Sequence, residues 1–260
     1  MTNEYLAKMF SLEKKTALVT GAAGGIGSAI SLGLANAGAN VALCDINISN
    51  LTQTEKTIPF KLDVADINSF PDVVDKIANK FGSIDILVNC AGINKREGLA
   101  DVLEQTYDKI MDINLKGVFF LSQAVAHKMK AQNSGTIINI GSHNTGPVLG
   151  GVSVYAATKS AVVAITRSMA VEWAKYNIRA NCVSPGHIKT ELTAPTWEHP
   201  TRSKYLLERI ALNRPGVPED VVGVCLFLAS DAASYITGSE YRVDGGCICG
   251  GQPWEYDTEF

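Results

Sequence analysis

A chain of 260 residues with 46% hydrophobic and 19% charged residues can bury a sizeable core without disulfide or metal staples. Its net charge of −3 and the absence of any Lys/Arg run argue against nucleic acid as a partner, and no apolar run nears the about 18 residues of a membrane span. Residues 1–13 lack the apolar core of a secretion signal. The six scattered cysteines form no CxxC pair, which points to reduced thiols in a cytoplasmic protein, with no metal held by cysteine. Cys247-Ile248-Cys249 is the only close pair, and it stays unassigned.

In chain order, short β-rich apolar runs alternate with longer stretches of helical period. Strands are expected at Thr16–Thr20, Val41–Asp45, Ile58–Leu62, Ile84–Asn89, Thr136–Gly141, Arg179–Val183 and Tyr241–Val243. Helices are expected at Ile26–Ala37, Ile67–Phe81, Leu103–Ala131, Val154–Tyr176 and Glu219–Ala229. Continuous apolar strands alternating with helices describe a parallel sheet covered on both faces, the doubly wound α/β class. No linker or repeat interrupts it, so 1–260 is read as one domain, with a core of about 10–249 and a tail at 250–260. Ligands of such sheets sit beyond the carboxyl ends of the strands, where the unusual residues of this chain fall.

Thr20-Gly-Ala-Ala-Gly-Gly-Ile-Gly27 joins the first strand to the first helix. Glycines there allow a tight turn and a close approach to a pyrophosphate, which the helix N-terminus favours. Asp45 ends the second strand; its carboxylate can accept from both ribose hydroxyls of NAD and would repel the 2′-phosphate of NADP. Asp63, after the third strand, can accept from an adenine amino group or cap the next helix.

Tyr155 and Lys159 stand four apart at the start of a helix and share one face. A phenol is a poor base at neutral pH, and a nearby ammonium favours phenolate, which makes proton exchange with an alcohol feasible. Ser142 ends the preceding strand, and its hydroxyl can hold a substrate oxygen.

Together these residues resemble the short-chain dehydrogenase/reductase family. The matching motifs are Thr20–Gly27, Asn89-Cys90-Ala91-Gly92, Asn114, Ser142, Tyr155-Ala-Ala-Thr-Lys159, Pro185-Gly-His-Ile-Lys-Thr190, Gly238 and Val243-Asp-Gly-Gly246. The resemblance implies a seven-stranded Rossmann-like sheet and reversible hydride transfer between nicotinamide and a carbinol or carbonyl carbon. It implies Tyr155 as acid/base, Lys159 as its activator and ribose ligand, and Ser142 as the group orienting the substrate oxygen. Asn114 would hold a water in a proton relay. The cofactor groove would comprise Gly21, Ala23, Gly24, Gly25, Ile26, Gly27, Asp45, Asp63, Val64, Asn89, Ala91, Gly92, Tyr155, Lys159, Pro185, Gly186, Ile188 and Thr190. Cys90 departs from the family's frequent Asn. A homotetramer is also implied, using helices Leu103–Ala131 and Val154–Tyr176, whose small residues Ala156, Ala157, Ser160, Ala161 and Ala164 suit a close interface or an internal core equally.

The stretches Ile84–Glu97 and Asp112–Ser122 are similar to the branch containing gluconate 5-dehydrogenase and 2-dehydro-3-deoxy-gluconate dehydrogenase. Substrate contacts are expected from three loop segments. Asn94, Lys95 and Arg96 come from the first, and His143 and Asn144 from the second. His187, Trp197, His199 and Arg202 come from a third segment suited to a closing lid. These polar groups fit a polyol, sugar or sugar acid. The rivals are an NADPH-dependent 3-oxoacyl carrier-protein reductase, which Asp45 opposes, and a dinucleotide-binding regulator without turnover, which the complete Ser–Tyr–Lys set opposes. The tail 250–260 interleaves Trp254, Tyr256 and Phe260 with acids, a pattern that suggests docking across a subunit boundary.

Overall fold

The computed structural model describes residues 2–250. Its strands are β1 (Thr16–Thr20), β2 (Asn40–Asp45), β3 (Thr57–Lys61), β4 (Ile86–Asn89), β5 (Gly135–Ile140), β6 (Ile178–Pro185) and β7 (Glu240–Val243). They form one parallel seven-stranded sheet in the order β3-β2-β1-β4-β5-β6-β7, the doubly wound arrangement expected from the sequence. Chain direction across the sheet reverses between β1 and β4, and a crevice opens there beyond the strand ends.

The helices are α1 (Thr2–Phe10), α2 (Gly25–Asn36), α3 (Phe70–Phe81), α4 (Glu104–Met111), α5 (Gly117–Gln132), α6 (Ser153–Trp173), α7 (Ala194–Trp197), α8 (Pro200–Leu207) and α9 (Pro218–Ala229). Successive strand residues point to opposite faces, so β1 divides its side chains between two cores. Val19 joins Val41, Val88 and Ile138 beneath Ile30 and Leu34 of α2 and Val221, Cys225 and Leu228 of α9. Leu18 joins Ala42, Leu87 and Ile137 beneath Val74 and Ile77 of α3, Leu121 and Val125 of α5 and Met169 of α6. Burial on both faces explains why β1 and β4 read as unbroken apolar runs.

Three expectations need correction. The long helix over 103–131 is two helices, α4 and α5, joined by a π-turn at Asp112–Lys116. The chain passes so close to the third-strand loop that a Cβ at Gly117 would strike the Val64 carbonyl, and the extra residue of the π-turn carries Asn114 inward. Helix α1 has no counterpart among the expected elements, because Tyr5, Leu6 and Phe10 stay exposed and make no core-facing stripe. The segment after β6, expected without helices of its own, contains two short ones, α7 and α8, each with proline in its first turn.

A chain of buried amides ties the sheet to its helices. The Asn89 side chain donates to Ser122 Oγ at 2.9 Å and to Asn139 Oδ1 at 2.8 Å, and Asn139 Nδ2 donates to Thr166 Oγ1 at 2.9 Å. Asn89 and Asn139 are each at most 3% exposed, so losing either would strand its partner without water. Asn89, assigned to the cofactor groove on sequence, therefore spends its side chain inside the fold.

Candidate active site

The glycine loop turns from β1 into α2 at the reversal of strand order. Gly21 has φ +68° and lies so close to β4 that a Cβ would sit 2.9 Å from the Ala91 backbone. A Cβ on Gly27 would collide with the Gly21 carbonyl, so the loop folds onto the helix start only without side chains there. The amides of the first turn of α2 consequently face open space, a site suited to a phosphate. Thr20 Oγ1 clamps the neighbouring strand end by accepting from Cys90 N at 3.0 Å and Ala91 N at 3.1 Å.

Two acids complete this half. Asp45 Oδ2 accepts from Ala23 N at 3.0 Å, which locks the glycine loop to the end of β2. Asp63 Oδ1 accepts from Ala65 N at 2.9 Å, while Asp66 caps the short turn that precedes α3 by accepting from Asn68 N. Asp63 is thus free of the capping role left open for it, and it lines the cleft with Val64.

Tyr155 and Lys159 project from the first turns of α6 into the same cleft, with Lys159 Nζ 5.8 Å from the Tyr155 ring centre. Lys159 is 4% exposed, and its ammonium donates to the Ile140 carbonyl at 2.7 Å. Gly92 lies directly over it: a Cβ there would be 3.5 Å from Lys159 Nζ and 3.4 Å from Asn114 Oδ1. The Asn114 amide is fully buried and paired in both directions with Ile93, accepting from its N–H and donating to its carbonyl, each at 2.8 Å. Asn114 therefore stands behind the cleft wall, and its side chain braces the loop over Lys159. Ser142 Oγ accepts from the backbone and side-chain amides of Asn144, both at 3.2 Å, which leaves its proton available to the cleft.

The far wall is aromatic. The rings of His143 and His187 meet edge to face with centroids 4.3 Å apart, and Trp197 packs against His187 at 6.4 Å. Burial lowers the pKa of His143, and burial with the nearby His143 and Arg96 pushes that of His187 down to about 4. Both imidazoles are neutral at physiological pH, each able to donate from one nitrogen and accept at the other. The whole cleft encloses 1010 Å³, room for a dinucleotide and a small second molecule.

The family model described as enoyl-(acyl carrier protein) reductase matches residues 21–247. The chain belongs to the short-chain dehydrogenase/reductase family. It is 42% identical over 250 residues to a 2-dehydro-3-deoxy-D-gluconate 5-dehydrogenase of Escherichia coli (strain K12), covering 92% of this chain and 97% of that one. It is 41% identical over 250 residues to a 3-oxoacyl-[acyl-carrier-protein] reductase of Thermotoga maritima, covering 91% and 99%. The crystal structure of a gluconate 5-dehydrogenase from Burkholderia cenocepacia J2315 in complex with NADP and tartrate is similar to it at a TM-score of 0.90 and 34% identity, covering 94% of this chain and 99% of that one. As a member of this family the chain is an oxidoreductase of the dehydrogenase/reductase type.

Within this short-chain dehydrogenase/reductase frame, the cleft gathers all the residues nominated from the sequence except Asn89 and Asn114, which lie behind it, and Lys95, His199 and Arg202. Lys95 instead pairs with Glu97 at 2.5 Å, and His199 Nδ1 accepts from Arg202 N at the start of α8. Gly21, Ala23, Gly24, Gly25, Ile26, Ala91, Pro185, Gly186, Ile188 and Thr190 line it, as do Asn94, Arg96, Asn144, His187 and Trp197. Leu149, Val152 and Leu206 also line it; they fall within the segments 143–152 and 187–209 expected to supply substrate contacts but were not singled out there. Apolar residues in such segments carry no signal that separates a site wall from a core.

The described residues contain no helix long and apolar enough to cross a membrane. The tail from residue 251, including the proposed docking aromatics, lies outside the described residues.

Proposed function

We propose that the chain interconverts a secondary alcohol and a ketone on a polyol, sugar or sugar acid, using NAD(H). The observation that carries this reading is the convergence of Tyr155, Lys159 and Ser142 on the cleft that the glycine loop opens. In the oxidative direction Ser142 donates to the substrate oxygen, and Tyr155, with the Lys159 ammonium beside it, takes the hydroxyl proton. Bound NAD supplies the hydride acceptor. Lys159, beside Tyr155, would hold the cofactor ribose, and Asn114 braces the loop that covers it.

The preference for NAD rests on Asp45. Its carboxylate stands at the end of β2 against Ala23 N, where a 2′-phosphate would meet negative charge. The Burkholderia relative holds NADP, so both nucleotides belong in the test. The substrate class rests on the polar wall of Asn94, Arg96, His143, Asn144 and His187, and on the relatives that act on sugar acids. Free cysteines at all six positions fit a reducing, cytoplasmic setting. A homotetramer fits the apolar Phe119 and Phe120 of α5 and the exposed small residues Ala157, Ser160 and Ala164 of α6.

A 3-oxoacyl carrier-protein reductase is the second reading, favoured by the Thermotoga relative. The deciding experiment assays purified protein with NAD(H) and NADP(H) against polyols, sugar acids and 3-oxoacyl thioesters. Turnover of a polyol or sugar acid with NAD is expected; turnover confined to oxoacyl thioesters with NADPH selects the second reading. Tyr155→Phe is expected to lower kcat by about 10²–10⁴ while NAD binding persists. Full activity in that variant would remove Tyr155 from the chemistry.

A further inference from the structure

His143, His187 and Cys247 belong to three distant segments: the turn after β5, the loop after β6 and the turn after β7. The fold brings a ring nitrogen of each histidine and the Cys247 Sγ within 4.8 Å of one another. A second observation marks the same spot. His143 Nδ1 and His187 Nε2 are both buried, and neither has a hydrogen-bond partner. A buried polar atom without a partner is costly, so two of them on rings that touch edge to face need an explanation. Cys247 is a free thiol, only 8% exposed.

We propose that His143, His187 and Cys247 form a three-ligand Zn2+ site in the wall of the substrate half of the cleft. Imidazole nitrogen and thiolate sulfur are both donors that Zn2+ accepts, and together with one open position they make a four-coordinate site. Zn–N bonds of about 2.0–2.1 Å and a Zn–S bond of about 2.3 Å put tetrahedral donors about 3.3–3.6 Å apart. The donors now lie within 4.8 Å of one another, so metal binding closes the widest pair by about 1.2–1.5 Å. The turn that carries Cys247 is held by Asp244, whose carboxylate accepts from Gly246 N at 3.0 Å and Ile248 N at 3.1 Å, so the thiol is presented on a fixed frame.

Binding replaces the S–H bond by a Zn–S bond and releases the thiol proton to solvent. Three protein ligands leave a fourth position, and because both histidines line the cleft, that position is open to water or to an oxygen of a bound hydroxy compound. The site escaped the sequence because its cysteine has no neighbour at zinc-finger spacing. Zn2+ binding does not depend on the dehydrogenase reading.

The test uses the full chain, treated with chelator, desalted and titrated with Zn2+ or Co2+ alone. One equivalent of Zn2+ per chain is expected by calorimetry and elemental analysis. Co2+ should give a thiolate-to-metal charge-transfer band that is lost in Cys247→Ser. His187→Ala should weaken Zn2+ binding by more than about 100-fold, since losing even an outer-shell partner costs about 10–100-fold. Cys249→Ser and Tyr155→Phe should bind Zn2+ like the parent, so failure of the catalytic reading and failure of the metal site are told apart. Circular dichroism on each variant checks folding, and the parent titration stands without any variant. Substoichiometric Zn2+ on the parent, or a cobalt band that survives Cys247→Ser in folded protein, would overturn the proposal.

Discussion

The two halves of the cleft are built from different materials. The nucleotide half is backbone: a glycine loop pressed against β4, the open amides of α2, and two strand-end carboxylates that hold turns in shape. The proposed substrate half is side chain: His143 from the turn after β5, with His187 and Trp197 from the stretch after β6 that runs into α7, stacked edge to face. A backbone site tolerates few residue types at each position, so its sequence and its geometry imply each other. A side-chain site is assembled from residues that are ordinary wherever they stand, and only their convergence has meaning.

The largest expected effect breaks the backbone half. Gly27→Ala places a methyl against the Gly21 carbonyl, so either the loop or the start of α2 must move. NAD affinity should fall at least about 30-fold, or ~2 kcal/mol, measured by titration of the nucleotide. Unchanged affinity would mean that the loop has slack, and the contrast between the two halves would collapse.

The next effect separates architecture from contact. Asn89→Ala removes two hydrogen bonds and leaves the Asn139 carbonyl buried without its donor. Stability should fall by about 1–3 kcal/mol in urea unfolding, while NAD affinity changes less than about twofold. Intact stability with lost NAD binding would return Asn89 to the groove assigned to it on sequence.

That case shows what was readable and what was not. Continuous apolar runs such as Thr16–Thr20 and Ile84–Asn89 announce buried parallel strands, because period-2 alternation disappears when both faces are covered. Gly21 and Gly27 were readable because each answers a backbone constraint, and Asp45 because an acid at the end of the second strand suits ribose hydroxyls, though its grip on Ala23 N was not foreseen. The π-turn at Asp112–Lys116 was not, since it arises from crowding between Gly117 and Val64, residues far apart in the chain. Nor was the direction of the Asn89 side chain, which depends on Asn139 standing opposite it on β5 and on Ser122 of α5 packing against the sheet. His143 and His187 were each nominated singly, yet their contact with one another, and with Cys247, exists only once β5, β6 and β7 lie side by side.

A milder change sharpens the other side of the contrast. Trp197→Ala removes the ring that packs on His187 and opens the substrate wall. KM for the alcohol should rise about tenfold, ~1.4 kcal/mol, with NAD affinity unaltered. If both constants moved together, the two halves would be mechanically coupled, and the lid segment would be part of the nucleotide site as well.

The smallest effect tests what holds the substrate wall from outside. Gly216 pairs with the loop after β6, donating to the His187 carbonyl at 3.0 Å and accepting from Lys189 N at 2.8 Å. Just beyond it, Arg214 makes a two-pronged contact with Asp220 at 2.7 and 2.8 Å, and Asp220 also accepts from Val217 N at the start of α9. The Arg214 guanidinium first, and then the Val217 amide, hold the Asp220 carboxyl down at about 2. The folded protein therefore releases this proton more readily than the unfolded chain, and the resulting stability is present above the ordinary carboxylate range and fades as pH falls toward 2. Because the pair is largely exposed, the gain is small and should shrink in salt. Asp220→Asn keeps an oxygen for Val217 and removes only the charge. Urea unfolding of the two proteins should differ at pH 7 and converge near pH 2. An undiminished difference at low pH would show that amide geometry, not charge, secures the loop behind His187.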